Sequence, residues 1–365
     1  MAKKEKKKRS FFGKLIRFIL FLILILVLLV CGFFGFLTVK EYKPADIVPA
    51  ETKGASAENE ITISDEQTIM SWNIGYGALG DNADFFMDGG TSVMTADAVR
   101  LAENLENIRY EINLVSPDFA LLQEVDTGSS RSHFADEQAD IVNEFQQYES
   151  AFGYNFKVPF VPYPWPPIGT VNSGILTLSD TTINDPVRVA LPCPFEWPVR
   201  LANLKRCLLV SRIPILDSEK ELVLINLHLE AYDSGEGKTA QTKVLKDFME
   251  QELAKGNYVI AGGDFNQSLS EEDRLKYPQQ EGKWAAGVMD TEQFSAGWQF
   301  ITDNSAPTCR SLDQSYKDAD KSTFQYYMID GFIVSPNIQV NSVETQDLDF
   351  VSSDHNPVVM KFKLK

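Results

Sequence analysis

The sequence predicts an α/β domain carried behind a single membrane-spanning helix. Three observations lead there. From residue 67 to the carboxyl terminus, short β-rich runs alternate with helical stretches. Polar residues recur at the carboxyl ends of apolar strands, at Asn73, Glu124, His228 and Asp264, where α/β architectures build their sites. Near the amino terminus, residues 18–37 run without a single charge.

As a helix, a twenty-residue run is about 30 Å long, the thickness of a bilayer core. Residues 1–17 hold eight Lys/Arg against one Glu, and only Lys40 and Lys43 follow closely. The positive-inside rule then places the amino terminus in the cytoplasm and the body outside it. A cleaved signal peptide is the alternative. The run is longer than a signal h-region, and no small-x-small site follows it. Val30 precedes Cys31 where a lipoprotein would carry a small residue. The expected organisation is a basic cytoplasmic segment (1–17), a signal anchor (18–38), a linker (39–66) and a catalytic body (67–365). The chain would sit in the cell membrane as a single-pass protein with its body extracytoplasmic. Pro44, Pro49, Gly54 and Ser56 give the linker the composition of a tether.

The body is long enough for one large domain or two small ones, and 44% hydrophobic residues suffice for a packed core. Removing the +7 of residues 1–17 from the formal net charge of −17 leaves −24 on the rest. Such a body repels polyanions and lacks the Lys and Arg that non-specific nucleic-acid binding requires. A local cationic site made by bound metal is compatible with it. Of the four cysteines, Cys31 lies in the apolar run and Cys193, Cys207 and Cys309 in the body. Cys193 and Cys207 could pair, and no spacing suggests a zinc site.

Taken in order, residues 68–73 read as a strand and residues 96–115 as a helix with Thr95 as N-cap. Residues 119–124 form a buried strand ending in an acid. Residues 174–178 and 207–211 are short strands, and residues 222–228 a strand ending in histidine. A helix over 238–254 leads to a strand over 258–264 that ends in Asp264. Residues 328–334 and 358–364 are the last strands.

The candidate chemistry sits on those strand ends. Glu124 closes an apolar run, and a buried carboxylate needs a partner. A hard divalent cation takes such oxygen ligands, although a solvated strand-end Glu fits equally well in isolation. Asn73 precedes Gly75, Gly77 and Gly80; an amide can ligate metal or donate to a phosphate oxygen. Asp264 and Asn266 lie two apart, so an extended strand points both to one face. The Asp can orient an attacking water and the Asn can donate to phosphoryl oxygens. His355 follows Asp354 and is a general-base or phosphate-contact candidate. Asp330 heads an apolar strand and could hold the tautomer of His355. His228 ends its own strand, whereas His133 reads as a surface residue.

Five segments together resemble one family: Ser71-Trp72-Asn73-Ile74, Leu122-Gln123-Glu124-Val125, Asn226-Leu227-His228-Leu229, Gly263-Asp264-Phe265-Asn266 and Ser353-Asp354-His355-Asn356-Pro357. They stand in the order seen in the endonuclease/exonuclease/phosphatase superfamily, which includes deoxyribonucleases, abasic-site endonucleases and neutral sphingomyelinases. Asp330 in its IDGFIVS segment and Asn172-Ser173-Gly174 are similar to further family segments. The resemblance implies a four-layer α/β/β/α sandwich of two mixed β-sheets. It implies Mg²⁺, or Mn²⁺ in its place, held by Glu124 with Asn73 and Asp354. It also implies His355 paired with Asp330 as base or transition-state stabiliser, His228 and Asn266 on the scissile phosphate, Asp264 on the water, and Asn172 at the substrate. Abasic-site endonucleases carry an acid two residues after the first Asn; Gly75 stands there in this chain, which argues against abasic-site repair.

The expected substrate is a phosphodiester, either a lipid headgroup or another phosphorylated compound met outside the cytoplasm. An extracytoplasmic nuclease and an inactive binding module are the alternatives; the intact motif side chains argue against the second. No feature points to a protein partner. Residues 75–90 form a long segment after Asn73, and residues 156–169 interleave five prolines with Phe156, Phe160, Tyr163 and Trp165. The latter reads as a polyproline-like arm that dips into a bilayer, stacks on bases, or covers the core.

Overall fold

A computed structural model describes residues 11–54, 59–232 and 235–365; residues 1–10 of the predicted cytoplasmic segment lie outside them. Helix α1 (Phe11–Val39) contains the charge-free run and extends it at both ends. Its most apolar window has mean hydropathy 3.2 and buries nothing against the body. By length and composition it can cross a bilayer.

The segment expected as a linker, residues 39–66, carries structure in its first half, while residues 55–58, with Ser56, lie outside the described residues. Strands β1 (Ile47–Pro49) and β2 (Glu51–Lys53) add antiparallel edges to two different sheets, β1 on β7 (Asn184–Ala190) and β2 on β5 (Glu149–Val161). Ahead of them, Glu41 is ion-paired to Lys43, Arg200 and Lys205 at 3.0, 3.2 and 3.4 Å. A polar, proline-containing stretch gains structure here by edge pairing, which composition alone does not reveal.

Each of the two large sheets has seven strands. One adds β3 (Gln67–Asn73), β4 (Phe119–Asp126), β6 (Gly169–Ser179), β17 (Ile338–Thr345) and β18 (Val358–Leu364), in the order β17-β18-β3-β4-β6-β5-β2. The other adds β8 (Cys207–Pro214), β9 (Glu221–His228), β10 (Tyr258–Asp264), β13 (Gln299–Ile301) and β16 (Asp330–Val334), in the order β1-β7-β8-β9-β10-β16-β13. Both are mixed: β3/β4 and β9/β10 are parallel, with antiparallel strands around them. The parallel pairs are joined through α2 (Ala98–Val115) and α4 (Glu236–Ala254), as parallel neighbours require. Between β10 and β16 lie the short strands β11 (Gln267–Ser268), β12 (Gly287–Val288), β14 (Cys309–Arg310) and β15 (Tyr326–Tyr327) and helix α5 (Glu271–Lys276).

Period-two alternation produces the layers. In β4, Phe119 and Leu121 face the second sheet, where they pack with Leu222, Leu224 and Ile260. Ala120 and Leu122 face outward onto Leu105, Ile108 and Ile112 of α2 and Ile141 of α3 (Glu137–Glu144). In β9, Val223 and Ile225 face outward onto Leu245 and Met249 of α4. The result is the expected α/β/β/α sandwich.

Local differences have local causes. Asp97, not Thr95, caps α2, its carboxylate accepting from Val99 N and Arg100 N; the Thr95 hydroxyl instead donates to Ala78 O. Strands β5, β7 and β17 were not legible because they carry prolines or alternate too weakly. Residues 156–161 belong to β5, so the expected polyproline-like arm is the end of a β-hairpin with β6. All four cysteines are free, so Cys193 and Cys207 do not pair.

Asn226 stitches the two sheets across the core. Its amide donates to Leu122 O (3.2 Å) and Leu176 O (2.9 Å), and its carbonyl accepts from Gln123 Nε2 (2.9 Å), all buried. Replacing Asn226 with Leu leaves these partners unsatisfied. Asn226→Leu is expected to lower unfolding free energy by about 2–3 kcal/mol, measured by denaturant titration; an unchanged midpoint would contradict this account.

Candidate active site

Strand register assembles one half of the site. Asp264 is the register partner of His228 in the β9/β10 ladder and of Asp330 in the β10/β16 ladder. Three adjacent strands thus bring three ionisable side chains to one row. The other sheet contributes Asn73 from the end of β3 and Glu124 from β4. His355 comes from the loop before β18, where Trp72 Nε1 donates to His355 O at 2.8 Å. Ser353 Oγ donates to Asn73 O at 2.7 Å and accepts from His355 N at 3.2 Å.

Backbone distortions aim these groups. The β4/β6 register shifts between Leu122 and Val125, and Glu124 inside this bulge has φ +56°. A bulge turns the side chain out of the ladder's regular alternation, and a non-glycine residue at positive φ marks a conformation the surroundings must hold. At Gly263, φ is +148° and a Cβ would lie 2.0 Å from Leu227 O, so only glycine fits before Asp264. Gly75 N–H donates to Asn73 Oδ1 at 3.0 Å and fixes that amide. A Cβ at Gly75 would come within 2.8 Å of Leu79 Cβ and 3.0 Å of Asp354 Oδ1. The acid found there in abasic-site endonucleases has no room in this chain.

Asp264 is the hub. Its Oδ2 accepts from Asn73 Nδ2 at 3.1 Å and lies 3.4 Å from His228 Nε2 and 3.8 Å from His355 Nε2. Its Oδ1 accepts from Asn266 N at 2.8 Å. Asn73 Nδ2 also reaches Glu124 Oε1 at 3.3 Å. His355 Nδ1 and Asp330 Oδ2 are 2.9 Å apart. Asn266 Nδ2 donates to Leu229 O at 2.9 Å.

Burial divides the titratable groups. It pushes Asp264 up to about 7, with His355 opposing and Asp330 adding to the rise. It pushes Asp354 up to about 6, with Glu124 adding to the rise against His355 and Arg310. The two histidines separate. Burial, reinforced by Arg206 and His355, holds His228 well below the usual imidazole range. Burial also opposes charge on His355, but the Asp330 carboxylate, with Asp354, holds it well above that range. The charged form is thus favoured on His355 and disfavoured on His228, two environments that suit two roles.

Two buried groups of possible metal donors occur among the described residues: Cys309, Asp354 and His355, and Asp264, Asp330 and His355. Both include His355, and Asp and His side chains of this kind can hold a metal. Burial pushes the Cys309 thiol up to about 12. The donors that fit a hard divalent cation are the oxygens of Glu124 and Asp354 beside the Asn73 amide. The Asp354 carboxylate is buried and the Glu124 carboxylate half-buried, and Glu124 raises the cost of charge on Asp354, which a cation would relieve.

These groups floor a cavity of about 610 Å³. Glu124, His228, Asp264, Asn266, Asp354 and His355 line it; Asn73 and Asp330 stand just behind. Asn172 does not line it: its neighbour Ser173 does, while Asn172 Nδ2 donates to Gly128 O at 3.4 Å. His133 is exposed, as expected. Sequence reading missed three arginines on the wall. Arg131 is bidentate to Asp126 and stacks 3.7 Å over Tyr76. Arg206 pairs with Glu230, and Arg310 donates to Gly80 O at 2.7 Å. None closes a long apolar run: Arg131 lies in a short helical turn, Arg206 precedes β8 and Arg310 ends the two-residue β14, so no pattern flagged them. The segment 75–90 forms part of the roof, with Asp88 accepting from Tyr232 OH at 3.0 Å. The mouth is apolar, lined by Phe86, Val161, Tyr163 and Phe195 and by Phe34 and Leu37 of α1.

The family model described as Endonuclease/Exonuclease/phosphatase family matches residues 70–355. No curated protein matches the sequence. Solved structures share the fold at low identity. An endonuclease/exonuclease/phosphatase from Beutenbergia cavernae is 19% identical with TM-score 0.55, over 82% of this chain and 72% of that one. One from Bacteroides vulgatus is 13% identical with TM-score 0.52, over 82% and 100%. The human Nocturnin catalytic domain, solved with a bound sulfate anion, is 16% identical with TM-score 0.51, over 87% and 98%.

The His355–Asp330 pair generates a measurable expectation. With the folded value raised, its stabilisation is complete below the ordinary imidazole value of about 6.5 and is lost as pH rises through the folded value. In Asp330→Asn, His355 is expected to release its proton at lower pH, and that pH-dependent stability disappears. Imidazole NMR titration of the metal-free protein checks this; an unmoved His355 titration would falsify the assignment.

Proposed function

Because the chain belongs to the Endonuclease/Exonuclease/phosphatase family, and is therefore a phosphoesterase- or nuclease-like hydrolase, we propose that it is a divalent-metal-dependent phosphodiesterase. In this reading α1 anchors it in the cell membrane with the site outside the cytoplasm, and its substrate is the phosphodiester of a lipid headgroup. The observation that carries the hydrolase reading is the convergence of Asp264, His228, His355 and Glu124 at the floor of one cavity, with Asn73 and Asp330 bonded to them from behind. The apolar mouth, lined in part by α1 itself, supports the lipid substrate. The excess of Lys and Arg before α1 supports the outward orientation.

Asp264 takes the proton of an attacking water. A carboxylate near neutral pKa suits that task, and Asn266 N–H and Asn73 Nδ2 hold it in place. The water oxygen attacks phosphorus, one ester bond breaks, and a phosphomonoester and an alcohol result. His355, kept protonated by Asp330, faces the negative charge that develops on the phosphoryl oxygens. Neutral His228 and the Asn266 amide orient the phosphate. Glu124 and Asp354, with Asn73, would hold Mg²⁺ or Mn²⁺, which supplies phosphoryl polarisation and charge neutralisation. A nuclease reading is less well supported: the three wall arginines are already engaged within the protein, and the chain beyond residue 17 carries a formal charge of −24.

Turnover of bis-p-nitrophenyl phosphate is expected with Mg²⁺ or Mn²⁺ and is expected to vanish with EDTA. A panel of plasmid DNA, RNA, sphingomyelin and phosphatidylinositol phosphates then separates lipid from nucleic-acid substrates. No cleavage of any member with either metal would sink the hydrolase reading. Glu124→Gln should lower metal-dependent turnover by at least about 100-fold, since even outer-shell changes at metal sites cost 10–100-fold. Activity within a few-fold of wild type would remove Glu124 from the metal site.

A further inference from the structure

The body touches α1 at the level where its apolar run ends. Phe33 packs edge-on against Phe160 of β5, with ring centroids 6.2 Å apart. Phe34 packs against Trp197 at 6.0 Å, and Trp197 Nε1 donates to Thr38 Oγ1 at 3.2 Å. Residues 33–37 are the last part of the charge-free run, so the rings against them lie at the depth of its end. Glu41 and strands β1 and β2 then hold α1 and body in one orientation.

Two exposed apolar segments flank this junction. In the turn between β5 and β6, Trp165 is 91% exposed and Tyr163 69%, and residues 158–179 carry no charge. Beside Trp197, itself 53% exposed, Val199 is 56% exposed. Clustered aromatic and aliphatic exposure is costly in water and marks an interaction surface. Tryptophan and tyrosine suit the headgroup level of a bilayer, with an apolar ring and one polar atom. The rim is continuous with the cavity, because Tyr163 and Val199 also line its mouth and Phe86 of the roof packs against Tyr163 at 5.7 Å.

We infer that the 162–168 turn and the 197–199 segment seat in the interface of the leaflet where α1 ends. The cavity thereby opens onto lipid, and a lipid phosphoester reaches Asp264 while its acyl chains stay in the bilayer. The inference rests on α1 being an anchor; the hydrolase chemistry is independent of it. The contact with the end of the apolar run selects a bilayer over a soluble protein as the occupant.

The test uses the full chain in nanodiscs of phosphatidylcholine and phosphatidylglycerol whose acyl chains are brominated near the glycerol. Tryptophan emission should be quenched, and Trp165→Phe should remove roughly half of the quenchable signal, as one of two tryptophans on the rim. Trp165→Asp should weaken the remaining quenching and leave bis-p-nitrophenyl phosphate turnover unchanged, because Trp165 lines no part of the cavity. A chain that does not enter nanodiscs overturns the anchor and the rim together. A chain that enters them without quenching, or with quenching indifferent to Trp165→Phe, overturns the rim alone. Quenching without cleavage of the small diester upholds the rim and overturns the hydrolase.

Discussion

The contact from Asn73 Nδ2 to Asp264 Oδ2, 3.1 Å long, joins one sheet to the other at the level of the chemistry. Asn73 ends a strand of the first sheet and Asp264 ends a strand of the second, so the distance exists only if the sheets pack in one relative placement. Asn226, bonded across the core to Leu122 and Leu176, helps set that placement two residues below His228. The site is thus a consequence of sheet-on-sheet packing, with no flexible loop spanning the gap. Tightly packed interiors transmit such placements faithfully.

Charge is arranged around that junction by burial. Asp264, Asp330, His228 and His355 are all buried, and a lowered dielectric strengthens every interaction among them. Asp330 resolves the arrangement by holding a proton on His355, which in turn opposes the rise of Asp264. His228 also has a carboxylate nearby, Asp264 at 3.4 Å, but burial and the positive charges of Arg206 and His355 hold it below the usual imidazole range. The division follows from which histidine has an acid at 2.9 Å, and it would be erased if β16 slipped by one residue relative to β10.

The attachment of α1 obeys the same logic at larger scale. A flexible tether would leave the cavity's orientation undefined. Instead Glu41 is clamped by three cations, and its carboxyl, which burial would raise, is held below the usual range by Lys43 and Lys205. With β1 on one sheet and β2 on the other, both halves of the sandwich are referred to the helix axis.

Much of this was legible in the residues. Strands 258–264 and 358–364 were read to the residue, because apolar runs bounded by polar ends leave little freedom, and the five ordered segments named the family and its four layers. Glu124, His228, Asp264 and His355 stand out because each ends or adjoins such a run, and the structure brings all four to one cavity. Asn172 was placed by resemblance alone, and the structure turns it away from the cavity. The bulge at Glu124, the row shared by His228, Asp264 and Asp330, the arginines on the wall and the fixed seat of α1 were beyond reach. Each depends on which distant strands become neighbours, and register is written in packing between segments far apart in the chain. The sequence alone determined which chemistry the chain carries; only tertiary structure decided which groups face one another, which histidine keeps its proton, and where the cavity opens.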